Sequence, residues 1–329
     1  MEKVLVIGSN SFSGSDFVDF LLEKGGYEVK GVSRSAEKSG IFLSYKKRHS
    51  GLFSFHQIDL NTQMRELTEI LDSFQPNYLV NFAAQSEVAP SWENPDHWFQ
   101  TNAVSLTRLA NALKNKKYLK KYVHISSPEV YGTCHGLVKE DAPLNPTTPY
   151  AASKAAGDLS LFTFFKNFEF PLVLVRATNV YGPGQQLFKI IPRSIIYLKL
   201  NKIIELHGGG EAIKSYIHIR DVSRGEWFVM EQGVPGEIYH FSPDEGIQVK
   251  EVVREICALN GTAFNQMTKS VGERLGQDKA YVIDSTKARK KFGWRPDISF
   301  KQGIQETFRW IEGNSSEILK MPLNYIHKA

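Results

Sequence analysis

Cysteine is scarce in this chain, which has two cysteines among its 329 residues, Cys134 and Cys257. A secreted fold held by disulfide bridges is therefore not expected, and no CxxC or Cys/His spacing points to a metal. Long apolar runs are missing as well. None reaches the length of a membrane span, and the apolar run at 4–7 is too short for a signal peptide. We therefore expect a soluble, cytoplasmic protein with no metal and no membrane partner.

Neither sign of charge dominates, since 40 lysines and arginines face 35 acidic residues, a net charge of +5. The densest basic cluster, within 114–121, is typical of a solvated helix end, so we expect no nucleic-acid partner. Hydrophobic residues make up 42% of the chain, which is enough to bury a full core in one large domain or two modest ones.

Short β-branched runs alternate with helical patterns through about residue 180. The predicted strands are 3–7, 28–33, 54–59, 78–82, 121–126 and 172–177, and the predicted helices between them include 15–24, 64–74, 101–114 and 150–168. Several strands are near-continuous apolar runs, which is typical of a parallel sheet covered on both faces. The pattern predicts an α/β fold with a Rossmann-type, doubly wound parallel sheet.

Beyond residue 180 the composition changes. Glycine and proline cluster at 181–184 and 208–210, and helical patterns follow at 190–200, 249–258 and 300–312. We predict a dinucleotide-binding domain over 1–180 and a smaller, mostly helical substrate-binding domain over 181–329, part of which crosses back to the first domain. A cleft between the two would hold the ligands.

The segment after the first predicted strand has the composition of a dinucleotide-binding loop. Gly8 allows a tight turn, Gly14 allows the following helix to pack closely, and Ser11 replaces the usual middle glycine. The helix N-terminus offers free N–H groups to a pyrophosphate, so we expect cofactor contacts from Gly8, Ser11, Phe12, Ser13 and Gly14. A plain strand-to-helix turn without a ligand is the alternative.

The end of the second predicted strand bears on the choice of cofactor. NAD sites commonly carry an acid there, but this chain has none, and Ser33 with Arg34 could hold a 2′-phosphate. The pattern favours NADP, with NAD as the alternative if Arg34 faces water or stacks on adenine. Asp59 and Leu60 follow the third strand and are candidate adenine contacts, although Asp59 could equally cap a helix.

Tyr150 and Lys154 stand four residues apart in a helical pattern, which puts both on one face. A lysine ammonium beside a phenol favours the phenolate, so the tyrosine could act as a base near neutral pH. Upstream, an apolar strand ends at Ser127 and Glu129. Ser127 could bond a substrate hydroxyl beside Tyr150, and Glu129 could be a base or acid unless it is a solvated loop residue.

With these motifs the chain resembles the extended short-chain dehydrogenase/reductase family, in its group of nucleotide-sugar epimerases and dehydratases. The matching segments cover nearly the whole chain and include 8–14, 81–86, 101–102, Ser127, Tyr150, Lys154, 176–183, 274–278, 281–284 and 292–296. Glu129 before Val-Tyr-Gly, the segment 189–192 and the segment 274–278 resemble the 4,6-dehydratases of that group in particular. The resemblance implies a cofactor contact at Ala83 and substrate contacts at Ser86, Glu129, Asn179, Lys189, Lys214 and Arg274.

The resemblance also implies the reaction. Tyr150 takes the 4-hydroxyl proton while hydride leaves C4 for the nicotinamide. Glu129 then removes the C5 proton, the 6-hydroxyl departs as water, and hydride returns to C6. The product is a 4-keto-6-deoxy sugar nucleotide. The family also implies a homodimer through two helices of each subunit, one of them the helix 150–168.

Three departures from the family pattern qualify this reading. Pro128 stands where dehydratases of dTDP-glucose carry the Asp that protonates the leaving hydroxyl, so Glu129 would act as both base and acid, or another group or water would supply the proton. Lys214 replaces an arginine that often grips the diphosphate. Leu275 and Gln277 indicate a base other than thymine. A 4-epimerase, a decarboxylase or a 4-keto reductase of the family remains the alternative, with a non-catalytic, cofactor-sensing regulator more remote.

Overall fold

The computed structural model describes residues 1–48, 50–134, 136–273 and 280–328. Its strands are β1 Glu2–Ile7, β2 Tyr27–Ser33, β3 Phe53–Gln57, β4 Tyr78–Asn81, β5 Lys121–Ile125, β6 Leu137–Val138, β7 Leu172–Ala177, β8 Asn179–Tyr181, β9 Ile204–His207, β10 Ile213–Lys214, β11 Tyr216–His218, β12 Ile238–Phe241, β13 Ile247–Gln248, β14 Thr268–Val271 and β15 Ala280–Ile283. Its helices are α1 Phe12–Lys24, α2 Met64–Phe74, α3 Pro95–Phe99, α4 Leu106–Leu113, α5 Pro149–Phe168, α6 Ile190–Lys199, α7 Ile219–Gln232, α8 Val249–Leu259, α9 Phe264–Met267, α10 Thr286–Phe292, α11 Phe300–Gly313 and α12 Ser315–Ile318.

The main sheet has seven parallel strands in the order β3-β2-β1-β4-β5-β7-β12. Val4, Leu5, Val6 and Ile7 of β1 are all buried, because helices cover both faces of the sheet. The doubly wound Rossmann-type fold is therefore confirmed. The strand order reverses between β1 and β4, and in such sheets ligands bind outside the carboxyl ends of the strands at this point.

One predicted helix differs from the pattern. The stretch predicted as a helix at 101–114 begins with a π-helical turn, Gln100–Ser105, before α4. Asn102 lies in this turn, where its Oδ1 accepts a hydrogen bond from Gln85 N at 2.9 Å and its Nδ2 donates to Ser153 Oγ at 2.9 Å. The wide turn thus connects the loop after β4 to the helix α5, and π-helical turns of this kind are frequent at functional sites.

The second half of the chain forms its own core and also adds to the main sheet. Helices α6, α8 and α11 share an apolar cluster that includes Ile195, Ile256 and Ile304. Between α6 and α8 the chain returns through α7, which packs beside α1, and through β12, which pairs with β7 at the edge of the main sheet. Among the described residues, no helix is long and apolar enough to span a membrane.

Candidate active site

The loop between β1 and α1 is shaped by its two glycines. Gly8 has a φ of +85°, and a Cβ there would lie 2.8 Å from Ala83 N in the loop after β4. A Cβ on Gly14 would lie 2.3 Å from the carbonyl oxygen of Gly8. Ser11 caps α1, because its Oγ accepts a hydrogen bond from Gly14 N at 2.9 Å. The serine in place of the middle glycine therefore has a local role, and the first turn of α1 opens at the carboxyl edge of the sheet.

At the end of β2, Ser33 supports the glycine loop. Its Oγ accepts a hydrogen bond from Asn10 N at 2.9 Å, and the side chain is buried against the loop. A contact from this hydroxyl to a 2′-phosphate stays a prediction. Arg34 is half-buried, and its Nη1 donates to the carbonyl oxygen of Lys328 at 3.3 Å.

Asp59 organises a turn in the loop after β3 and does not cap α2, whose N-cap is Gln63. Asp59 Oδ1 accepts a hydrogen bond from Asn61 N at 2.8 Å, and Gln63 N donates to Asp59 O at 2.8 Å. These bonds form the turn that leads into α2. Leu60 beside it is buried in the core under the sheet. The carboxylate therefore organises a turn, which leaves an adenine contact at this position a prediction.

Ser127, Glu129 and Tyr150 meet at the carboxyl end of β5. Ser127 begins the short 3₁₀ turn Pro128–Tyr131, where its Oγ accepts from Glu129 N at 3.2 Å, and its side chain also bonds the Tyr150 hydroxyl. Tyr150 lies in the first turn of α5, a helix capped by Thr148, whose Oγ1 accepts from Ala151 N at 3.1 Å. The structure therefore brings the predicted hydroxyl, carboxylate and phenol together.

Burial dominates the electrostatics of Tyr150. It raises the pKa of the phenol above its usual value, and the charge of Glu129 raises it further, while the hydrogen bond from Ser127 opposes both. Lys154 Nζ donates to the carbonyl oxygen of Ile125 at 2.8 Å and lies 3.3 Å from His124 Nε2. The ammonium is therefore bonded to the end of β5, and the phenolate expected beside it stays a prediction. Burial itself lowers the pKa of Lys154 to about 8.

Glu87 is a member of this site that the motifs did not indicate. Its side chain is 8% exposed, its Oε1 lies 2.7 Å from Lys189 Nζ, and its charge contributes to the raised pKa of Tyr150 behind burial and Glu129. The ion pair joins the loop after β4 to the N-cap of α6, about a hundred residues further along the chain. Lys189, a predicted substrate residue, therefore reaches the region of the phenol.

The other predicted substrate residues are less tightly grouped. Ser86 is exposed in the loop after β4, Asn179 Nδ2 donates to Ser215 O at 3.1 Å, and Lys214 is half-buried in β10. Arg274 lies outside the described residues. A neighbouring link holds this side of the site to the catalytic helix, because Ser91 Oγ accepts from Tyr150 N at 3.2 Å.

A contact from the last described residues crosses the same edge of the sheet. The carbonyl oxygen of Lys328 accepts from Gln85 Nε2 at 2.6 Å as well as from Arg34, so it joins the loops after β4 and β2. His327 stacks on His97 with ring centroids 5.2 Å apart. Sequence motifs cannot reveal such a contact, because its partners are more than two hundred residues apart.

Together, the parallel sheet and this edge define the class of protein, a nicotinamide-dinucleotide-dependent enzyme of the extended short-chain dehydrogenase/reductase kind. The chain belongs to the GDP-mannose 4,6 dehydratase family, whose model matches residues 5–307. The resemblance inferred from the motifs is thereby confirmed.

Individual relatives agree with this membership. The chain is 30% identical over 326 residues to a probable dTDP-glucose 4,6-dehydratase of Sinorhizobium fredii, covering 94% of this chain and 92% of the relative. A dTDP-glucose 4,6-dehydratase of Streptomyces venezuelae, solved with NAD bound, superposes with a TM-score of 0.90 at 28% identity and covers 97% of this chain and 100% of its own. A UDP-glucuronic acid 4-epimerase of Bacillus cereus in complex with NAD reaches 0.87 at 25% identity, covering 94% and 99%.

Proposed function

We propose that the chain is a nucleotide-sugar 4,6-dehydratase that converts its substrate to a 4-keto-6-deoxy sugar nucleotide. The observation that carries the proposal is the position of Glu129, whose backbone bonds Ser127 and whose charge acts on Tyr150. A 4-epimerase needs the hydroxyl and the phenol but has no use for a carboxylate there. The named dehydratases among the relatives support the same choice.

In the proposed reaction, Ser127 bonds the 4-hydroxyl and Tyr150 takes its proton as hydride leaves C4. A nicotinamide ring bound there would supply the hydride acceptor and donor, and its positive charge when oxidised would favour the phenolate. Glu129 then removes the C5 proton, which the neighbouring ketone has made acidic. The C6–O bond breaks as the C5–C6 double bond forms, and the oxygen leaves as water. Hydride returns to C6 while C5 takes a proton from Glu129 or solvent, and Tyr150 releases its proton to solvent.

The leaving hydroxyl needs a proton that Pro128 cannot give. Two sources within the protein fit the site. One is Glu129 itself, after it has taken the C5 proton, and the other is the ammonium of Lys189, which pairs with the buried Glu87. Water is a third source.

We infer that the cofactor is NAD, although the sequence pattern favoured NADP. The solved relatives named above carry NAD. The hydroxyl of Ser33, one of the two groups assigned to a 2′-phosphate, bonds the glycine loop instead. The protein is expected to release NAD when it is denatured after purification, and mass spectrometry of the supernatant distinguishes it from NADP.

We further propose the division of labour predicted from the sequence. Residues 1–180 hold the dinucleotide, and 181–329 hold the nucleotide diphosphate of the sugar through Lys189, Lys214 and Arg274, with Ser86 and Asn179 from the first part. The homodimer through α5 is proposed on Leu159 and Phe168, apolar side chains of that helix that are 59% and 46% exposed.

The experiment that tests the function is a panel of UDP-, GDP-, CDP- and dTDP-sugars incubated with the protein and followed by mass spectrometry. A dehydratase yields a product lighter by one water from one of them. An isomer of unchanged mass would replace the proposal with epimerisation, and loss of carbon dioxide would replace it with decarboxylation.

A further inference from the structure

Behind Lys154 lies a chain of buried polar side chains that the proposed reaction does not use directly. Asp158, one helical turn further along α5, is 1% exposed, and its Oδ2 accepts from Ser126 Oγ at 2.6 Å and from Arg176 Nη2 at 2.7 Å. Arg176 of β7 is equally buried. Burying a charged arginine and a carboxylate costs desolvation free energy, which their pairing offsets only in part. A buried pair of this kind is therefore a candidate for a role beyond stability.

These buried polar side chains reach Lys154 at one end and the 3₁₀ turn of Glu129 at the other. On one side, His124 Nε2 lies 3.3 Å from Lys154 Nζ and 3.7 Å from Asp158 Oδ1, so the imidazole stands between the ammonium and the carboxylate. On the other side, Arg176 Nη1 donates to the Tyr131 hydroxyl, in the same 3₁₀ turn as Glu129. Tyr131 in turn lies 2.8 Å from His240 Nε2.

Asp158 Oδ1 is buried without a hydrogen-bond partner, although it faces the His124 imidazole. Burial holds the pKa of His124 well below its usual value, so the ring is neutral and its Nε2 accepts from the lysine. Asp158 Oδ1 therefore remains as an unbonded carboxylate oxygen that faces the imidazole beside the lysine. A fully buried ammonium needs such a counter-charge to stay protonated.

We propose that Asp158 is a positioning residue that keeps the buried Lys154 protonated, and that Arg176 pairs with Asp158 and ties it to the turn of Glu129. The consequence for catalysis rests on the proposed function, because only there does the lysine serve the phenol and the cofactor. The charge balance around Lys154 exists in the protein without any substrate.

The competing charges around Lys154 have defined signs. Burial lowers the pKa of Lys154, Asp158 raises it, and Arg176 lowers it again. Other ionisable groups on elements that pack against α5 either act on the phenol, as Glu129 does, or lie away from the lysine. Asp96 of α3 and Arg108 of α4 are exposed, and His97 stacks on His327. Asp158 is therefore the carboxylate on which the ammonium depends.

The test is a direct titration of Lys154 in the full-length protein with its cofactor bound. Lysine is labelled isotopically at Cε, and the resonance of Lys154 is assigned by its loss in Lys154→Arg. In Asp158→Asn, which keeps the size of the side chain and loses its charge, we expect the midpoint to fall by about one pH unit or more. Asp19→Asn is the matched control, since Asp19 of α1 is another buried aspartate that pairs with an arginine, Arg220, and its replacement should leave the midpoint unchanged.

A second pair of variants keeps the proposal testable if Asp158→Asn fails to fold around an unpaired Arg176. Arg176→Met should raise the midpoint, and adding Asp158→Asn to it should lower the midpoint again. An unchanged midpoint in Asp158→Asn, or no difference within the second pair, overturns the proposal. Since neither measurement uses a substrate, failure of the proposed function would be seen separately, in the nucleotide-sugar panel.

If the chain is a dehydratase, the same variant carries a kinetic signature. The alkaline limb of the kcat/KM profile, where Lys154 loses its proton, should move to lower pH in Asp158→Asn. Asp158→Glu, which restores the charge, should move it back. A purely structural role would lower the melting temperature and leave the position of that limb unchanged.

Discussion

Replacing Glu129 by glutamine should affect the two halves of the reaction in opposite directions. Glutamine keeps the shape of the side chain and the bond from its backbone N to Ser127 Oγ, but it cannot take the C5 proton. Loss of a general base typically lowers a rate about 10²- to 10⁴-fold, which corresponds to about 2.7–5.5 kcal/mol of barrier. Apart from burial, the charge of Glu129 is the largest cause of the raised pKa of Tyr150. Its removal should lower that pKa and make the phenolate more abundant near neutral pH.

Glu129→Gln mixed with substrate should therefore accumulate reduced nicotinamide and 4-keto sugar. The assay is stopped-flow absorbance of the reduced cofactor, followed by mass analysis for the loss of water. Elimination should be slower by at least about a hundredfold, while oxidation at C4 is as fast as in the parent or faster. Full dehydration activity in this variant would show that the general base lies elsewhere.

Three further outcomes follow from the same structure. Gly14→Ala should purify without cofactor, because its Cβ would lie 2.3 Å from Gly8 O. The control Gly313→Ala has open space around it and should retain the cofactor. Bound cofactor in both variants would refute the close packing of the loop. Glu87→Gln removes a charge that raises the pKa of Tyr150, so the acid limb of the oxidation rate should move to lower pH; an unmoved limb would place Glu87 outside the site. Leu159→Glu should convert the proposed dimer to a monomer, as measured by light scattering. Leu137→Glu, which changes a similarly exposed leucine outside α5, should leave the dimer intact. The same oligomeric state in both variants would contradict the α5 interface.

The sequence predicts those parts of the fold whose signals are local. The helix at 64–74 and the strand at 172–177 have the predicted bounds, because each is a complete periodic run between clear breaks. The π-helical turn at Gln100–Ser105 was missed, because its apolar spacing still fits an α-helix. What distinguishes it is the bonding of Asn102 to Gln85 and Ser153, which are distant in sequence.

The same distinction holds in the site. Tyr150, Lys154 and Ser127 lie in short motifs at strand or helix ends, and the structure brings them to one edge. Asp158 could have been found from the sequence, because it continues the four-residue spacing of Tyr150 and Lys154. The Glu87–Lys189 pair could not, because it depends on how two separate parts of the chain pack.

The phenolate at Tyr150 stays a prediction, because it depends on the bound nicotinamide ring as well as on Lys154. The motifs did not indicate burial or the carboxylates of other elements, both of which raise the pKa of the phenol. Motif spacing gives the identity of neighbours along a helix, but it does not give the dielectric environment in which they act.

The most direct test of the proposed dehydration follows the hydrogen on C4 of the sugar. A nucleotide sugar carrying deuterium at C4 is incubated with the protein, and the product is examined by NMR and mass spectrometry. We expect water to be lost and the deuterium to appear at C6, because the cofactor takes hydride from one carbon and returns it to the other. Deuterium that stays at C4 in a product of unchanged mass would contradict dehydration and assign the site to epimerisation.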